Sequence, residues 1–307
     1  MGTTILAMGR YAPETSVNFE SGRRLRCLPN SQTQLDMGVK AARQALDNAG
    51  MTIGDIDLII SASAVIIQPI PCNAALYHEA LQATPGTAAL DICTTCTSFI
   101  TALDMADLML KAGKYRNILI ISADIASIAL NPEEKESYSL FSDGAAAAIV
   151  SMGEGQVVDA AQYTYSQGAH DTEIKAGGTL SPGFCFTPDR INDYRFTMKG
   201  LRAIKLVLNH MPKLLDAFLE KNQISLDDVR MIVPHQASPA LDLIMKKLGV
   251  PKTQYVNIFP DYGNMVSASV PYALSHAIDQ GLIKRGDKVL LLGSAAGLTL
   301  NILLLEL

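Results

Sequence analysis

Gln44–Ser63 reads QALDNAGMTIGDIDLIISAS, and Ala217–Gln236 reads AFLEKNQISLDDVRMIVPHQ. Each runs from the end of a helix through a short acidic connector into an aliphatic strand. Ile59 falls on Ile232, an offset of 173 residues. A second pair sits at nearly the same offset: ALDMADLMLKAGKYRNILIISA (Ala102–Ala123) on ALSHAIDQGLIKRGDKVLLLGS (Ala273–Ser294), 171 residues apart. Two long similarities at almost one spacing point to a duplicated α/β unit, with halves at 1–155 and 156–307.

Within each half the order is helix, strand, helix, strand. Leu35, Val39, Ala42 and Leu46, and again Phe99, Leu103, Ala106 and Leu110, recur at helical spacing. Leu58–Ile60 and Ile118–Ile121 are continuous aliphatic runs, as strands covered on both faces require. Two sheets with helices between and outside them would bury this much apolar sequence, a layered α-β-α-β-α arrangement. The most apolar stretch, Val289–Leu307, is nearly long enough to span a bilayer. Gly293-Ser294-Ala295-Ala296-Gly297 interrupts it, so it reads as two buried strands joined by a small-residue turn.

Composition narrows the function classes. Of 307 residues, 49% are apolar and 18% charged, which excludes a disordered or fibrous chain. A net charge of −5 provides no basic field for nucleic acid or an anionic membrane. Five cysteines in so long a chain make no disulfide framework and suit a reducing cytoplasm. The N-terminal MGTTILAMGRYAP has no basic segment followed by a long apolar one, so no secretory signal is expected. No phosphate-binding G-x-x-x-x-G-K-[ST] occurs, and Gly153-Glu154-Gly155 lacks the third glycine of a dinucleotide loop.

In α/β proteins functional groups gather where strands end and helices begin. The repeat places Cys96, His235 and Asn264 at three such junctions, and a pseudo-twofold packing of the halves would bring them together. Cys96 precedes an apolar helix whose free N–H groups and positive dipole end would favour a thiolate. Alone, it reads first as a buried structural cysteine. Cys93-Thr94-Thr95-Cys96 has the spacing of a redox or half-zinc motif, but no second CxxC pair and no HxxxH follow. Metal is therefore not expected. His235 in VPHQAS follows a strand directly, whereas His78, His170, His210 and His276 have weaker settings. Asn264, after Gly263, would serve equally as a turn residue.

Taken in order, DICTTCTSF (Asp91–Phe99), VPHQAS, DYGNMVSASVPYAL (from Asp261) and VLLLGSAAGLTL (from Val289) resemble the β-ketoacyl-acyl-carrier-protein synthase III family of the thiolase superfamily. Ser142-Asp143-Gly144 and Gly177-Gly178 also fit, and the similarity runs from about residue 35 to the end. The resemblance implies a thiolase fold, a homodimer and a Cys-His-Asn triad, here Cys96, His235 and Asn264. It implies an acyl-cysteine formed from acyl-CoA or an acyl-carrier protein, with the backbone N–H groups of Cys96 and Ala296 facing the oxyanion. A malonyl-carrier protein then loses carbon dioxide, and its enolate attacks to give a 3-oxoacyl thioester in fatty-acid or specialised acyl-chain synthesis. No organic cofactor is implied.

The chain departs from the family's pattern in places. The N-terminal region is about a dozen residues short, and Arg24 and Arg26 stand as remnants of a segment that contacts CoA or phosphopantetheine. There is no tryptophan to stack on an adenine. Lys135 lies near a nucleotide-contacting position. Ile70 stands where an aromatic enters the partner's acyl pocket, and Ser294 narrows the oxyanion turn. Two other functions compete: acyl transfer to an alcohol or amine without decarboxylation, and an idle subunit of a heteromeric synthase.

Overall fold

The computed structural model describes residues 2–28 and 31–307. The first half contains β1 (Gly2–Tyr11), β2 (Ser16–Phe19), β3 (Gly22–Leu25), α1 (Gln34–Ala49), β4 (Leu58–Ser61), α2 (Asn73–Ala80), β5 (Ala88–Asp91), α3 (Ser98–Lys111), β6 (Asn117–Asp124), α4 (Lys135–Tyr138) and β7 (Gly144–Gly153). The second contains β8 (Gln156–Thr164), β9 (Thr172–Glu173), β10 (Thr197–Met198), α5 (Gly200–Lys221), β11 (Met231–Pro234), α6 (Leu241–Lys247), α7 (Phe259–Tyr262), α8 (Ser269–Asp279), β12 (Lys288–Ala295) and β13 (Thr299–Glu306).

The two main sheets have matching topologies. One runs β1-β7-β6-β4-β5, the other β8-β13-β12-β11, and a bridge from Ile232 to Tyr255 marks the place of a fifth strand. The duplicated connectors fold alike. Thr52 with Asp55, and Ser225 with Asp228, form reciprocal capping boxes on the short turns that lead into β4 and β11. The Val289–Leu307 stretch is an antiparallel pair, with Val289 opposite Leu305 and Leu292 opposite Ile302.

Alternation along the strands separates the layers. Leu58 and Ile60 of β4 and Ile118 and Ile120 of β6 face inward, where they meet Phe99 and Leu103 of α3, Ala273 and Leu274 of α8, and Val289 and Leu291 of β12. Ile59, Leu119 and Ile121 face outward onto α1 and α2. Ile232, Leu290 and Ile302 do the same onto α5 and α6. The layers are thus helices, sheet, the α3/α8 pair, sheet and helices. Each fully buried Leu, Ile or Phe stabilises this arrangement by about 1.5–3 kcal/mol. Because α3 and α8 lie in the middle, their N-termini open onto the seam between the halves. No helix among the described residues is long and apolar enough to cross a membrane.

Candidate active site

Cys96 lies in the single turn Thr95–Thr97 at the head of α3. Thr95 adopts φ 53°, a left-handed conformation unusual for a branched residue, and this bends the chain sharply between β5 and α3. The turn is pressed against the end of β12. Thr95 Oγ1 donates to the Ala296 carbonyl at 3.4 Å. A Cβ on Gly293 would lie 2.5 Å from Thr97 Cγ2, so the approach depends on glycine there. Two backbone N–H groups, from Ala296 and from Cys96 itself, point at Cys96 Sγ.

Burial, and next the charge of Asp124, push the Cys96 thiol up to about 12 despite those two donors. The thiolate favoured by a helix N-terminus is therefore not the resting state. Desolvation outweighs the dipole because the sulfur lies in the seam rather than at an open helix end. Cys27, Cys72, Cys93, Cys96 and Cys185 are all free thiols.

His235 follows β11 directly. β11 pairs in parallel with β12, and the His235 N–H continues the ladder to the Leu292 carbonyl at 2.8 Å. The residue is 5% exposed, and burial lowers its imidazole to about 4, so the ring is neutral at physiological pH. Its Nδ1 is buried without a hydrogen-bond partner among the described residues. A bare lone pair tolerates that better than a buried N–H, so the ring proton belongs on Nε2.

Asn264 is fixed from both ends. Its N–H donates to the Leu140 carbonyl at 3.0 Å, and its carbonyl accepts from Ser142 N–H at 2.8 Å, which stitches the second half to the first. In the side chain, Oδ1 accepts from Val266 N–H at 2.9 Å and Nδ2 donates to the Ala237 carbonyl at 3.2 Å. Ala237 is two residues past His235, so carboxamide and imidazole share one loop corner. Ser294 and His235 line one cleft, with Ala237, Ser238 and Leu241.

The remaining sequence candidates lie elsewhere. Arg24 is fully buried, and all five guanidinium donors are used: Nε on the Ser139 carbonyl, one terminal nitrogen on the Arg23 and Phe259 carbonyls, the other on the Ser21 carbonyl and hydroxyl. Its guanidinium carbon stacks 4.2 Å from the Phe259 ring centre. No donor is left for a phosphate, which corrects the expectation of a CoA contact. Desolvation lowers this group to about 10. Arg26 is buried too, donating to the Tyr138 carbonyl and stacking on that ring, so it also faces inward. Lys135 is exposed at the start of α4 and makes no ion pair among the described residues. Ile70 is 85% exposed.

The sequence reading did not single out Asp124 or Ser267. Asp124 closes β6, is fully buried, and accepts from Ala64 and Val65 of one half and from Ser267 of the other. Offset 171, which sets Ser267 on Cys96, was the available signal.

A duplicated five-layer fold with a cysteine at the head of a central helix is the architecture of acyl-transferring enzymes of the thiolase superfamily. Residues 90–166 match the family model 3-oxoacyl-[acyl-carrier-protein (ACP)] synthase III, and residues 219–307 match that family's C-terminal model. The β-ketoacyl-[acyl-carrier-protein] synthase III of Aquifex aeolicus is 32% identical over 324 residues, covering 100% of both chains. That of Clostridium perfringens is 32% identical, covering 95% of this chain and 90% of its own. The crystal structure of the Aquifex aeolicus enzyme superimposes with a TM-score of 0.89 at 29% identity over 100% of both chains. The chain belongs to the β-ketoacyl-[acyl-carrier-protein] synthase III family.

Proposed function

We propose that the chain performs decarboxylative condensation through Cys96, His235 and Asn264. Cys96 Sγ attacks an acyl thioester, its proton passes to the donor sulfur as the old C–S bond breaks, and the donor departs as a thiol. The Cys96 and Ala296 N–H groups, already converging on the sulfur, receive the tetrahedral oxyanion. A malonyl thioester then enters. As its carboxylate leaves as carbon dioxide, the negative charge gathers on the thioester oxygen, where His235 Nε2–H and the free Asn264 Nδ2–H donate. The carbanion attacks the acyl-cysteine, the C–S bond to Cys96 breaks, the thiolate takes up a proton from solvent, and the 3-oxoacyl thioester is released.

The observation that carries this reading is the neutral, buried imidazole beside an oriented carboxamide. Transfer to an alcohol or amine needs a general base tuned near neutral pH, and a ring lowered to about 4 is a weak one. Decarboxylation needs hydrogen-bond donors instead. The acyl donor is a thioester of CoA or of a carrier protein, with Lys135 available to a phosphate.

The partner is a second copy of the chain. β5 pairs with β4 on one side only, and its other edge is open. The Asp91 carboxylate accepts from Asn73 and Ala74 N–H, which holds the exposed Ile70 loop at the end of that edge. From there Ile70 enters the partner's acyl pocket. The free thiols suit a cytoplasmic setting.

Intact mass spectrometry with acyl-CoA and acyl-carrier protein, with Cys96→Ala as control, reads the first half-reaction. Labelled carbon dioxide from malonyl-carrier protein reads the second. Acylation lost in Cys96→Ala, and decarboxylation lost in Asn264→Ala, are expected. An acyl-enzyme that never releases carbon dioxide with any malonyl carrier would overturn the condensation.

A further inference from the structure

The repeat places a second residue in the nucleophile's position. At offset 171, Thr95 falls on Val266, Cys96 on Ser267 and Asp124 on Ala295. The structure keeps the equivalence. Thr95–Thr97 and Val266–Ala268 are both single turns entering a central helix, and Thr95 and Val266 share the left-handed conformation at φ 53° and 51°. Each turn packs against the end of the other half's central strand, the first against β12 and the second against β6. The two crossings differ in chemistry. The end of β12 offers the Ala296 N–H to Cys96 Sγ. The end of β6 offers a carboxylate, to which Ser267 donates both its N–H, at 2.9 Å, and its Oγ–H, at 2.5 Å. Ala64 and Val65 N–H groups occupy the other oxygen at 3.0 and 2.7 Å. The four contacts come from both halves and clamp the Val266–Ala268 turn to the end of β6. Burial raises the Asp124 carboxyl, and the donors offset part of that rise.

We propose that Asp124 and Ser267 form a positioning pair: they fix the turn that orients the Asn264 carboxamide. The inference rests on the roles assigned above to Cys96 and Asn264. Val266 N–H, one residue from Ser267, donates to Asn264 Oδ1 at 2.9 Å, and the Ser269 hydroxyl donates to the same oxygen at 3.4 Å. Left-handed backbone at a β-branched residue is costly and persists where neighbours enforce it. The Ser267–Asp124 bonds brace this turn. Without them Val266 relaxes, Oδ1 loses its shorter donor, and the free N–H swings off the enolate.

Two variants test the role. Ser267→Ala removes the hydroxyl donor, so carbon dioxide release from malonyl-carrier protein should fall about ten- to a hundredfold relative to the acylation rate, as expected of a displaced catalytic group. Ser267→Thr keeps the hydroxyl and should recover most of that ratio. A merely structural role would lower both half-reactions together, and that result in folded Ser267→Ala, or a Ser267→Thr ratio no better than that of Ser267→Ala, would overturn the inference. Wild-type protein that takes up no acyl group would instead defeat the assigned function.

Discussion

Arg24 provides a sharp test, because the sequence suggested a ligand contact and the structure a buried strut. Arg24→Gln strips partners from four carbonyls, those of Ser21, Arg23, Ser139 and Phe259, and from the Ser21 hydroxyl. At about 1 kcal/mol per net hydrogen bond the gross loss is about 5 kcal/mol. Removing a buried cation relieves its desolvation cost, and glutamine recovers one bond, which leaves about 3 kcal/mol. A chain of 307 residues unfolds with an entropy of about 0.6 kcal/mol/K, so the melting temperature should drop by about 5 °C. Gly263, whose Cβ would lie 2.5 Å from Arg24 Cδ, leads directly to Asn264. Turnover should therefore fall with stability while the KM for acyl-CoA stays in place. Differential scanning calorimetry and initial rates measure both. A melting temperature unchanged to about 1 °C, together with a tenfold higher KM for acyl-CoA, would refute the buried-strut argument.

Other expectations follow from the same geometry. His235 titrates at about 4 in the folded chain against 6.5 unfolded, so the unfolded state binds the extra proton between those values. Stability should therefore decline as pH falls from 6.5 to 4, by about 3 kcal/mol more than in His235→Gln, as urea unfolding across that range would show. By the same sign the wild-type decarboxylation rate should show no inflection near pH 6.5; one there would mean that the imidazole charges during turnover. Gly293→Ala drives a methyl into Thr97 and Ile100, so it should destabilise by about 1–3 kcal/mol and slow acylation at Cys96 about ten- to a hundredfold. Acylation at the wild-type rate would show that the Cys96 turn does not depend on that approach.

Much of the architecture was legible because it depends on local periodicity. The spacing of Leu35, Val39, Ala42 and Leu46 marks α1, which runs Gln34–Ala49 and buries that face. The aliphatic runs mark β4 and β6, and the small residues at 293–297 mark the turn between β12 and β13. The fixed offset between repeats exposed the duplication and the three junctions that hold Cys96, His235 and Asn264. The pattern was silent on burial of polar groups. Arg24 read as a contact for CoA or phosphopantetheine because its actual partners, Ser139 and Phe259, lie more than a hundred residues away.

By itself, then, the sequence determined the repeat, the order of elements and the candidate side chains at the strand-to-helix junctions, since these depend on residue type and short-range spacing. Only the tertiary structure decided their protonation and orientation. The raised thiol of Cys96, the lowered imidazole of His235 and the Asp124–Ser267 clasp all arise in the seam where the halves meet. Desolvation and hydrogen bonding there depend on atoms brought from both ends of the chain, which no local stretch encodes.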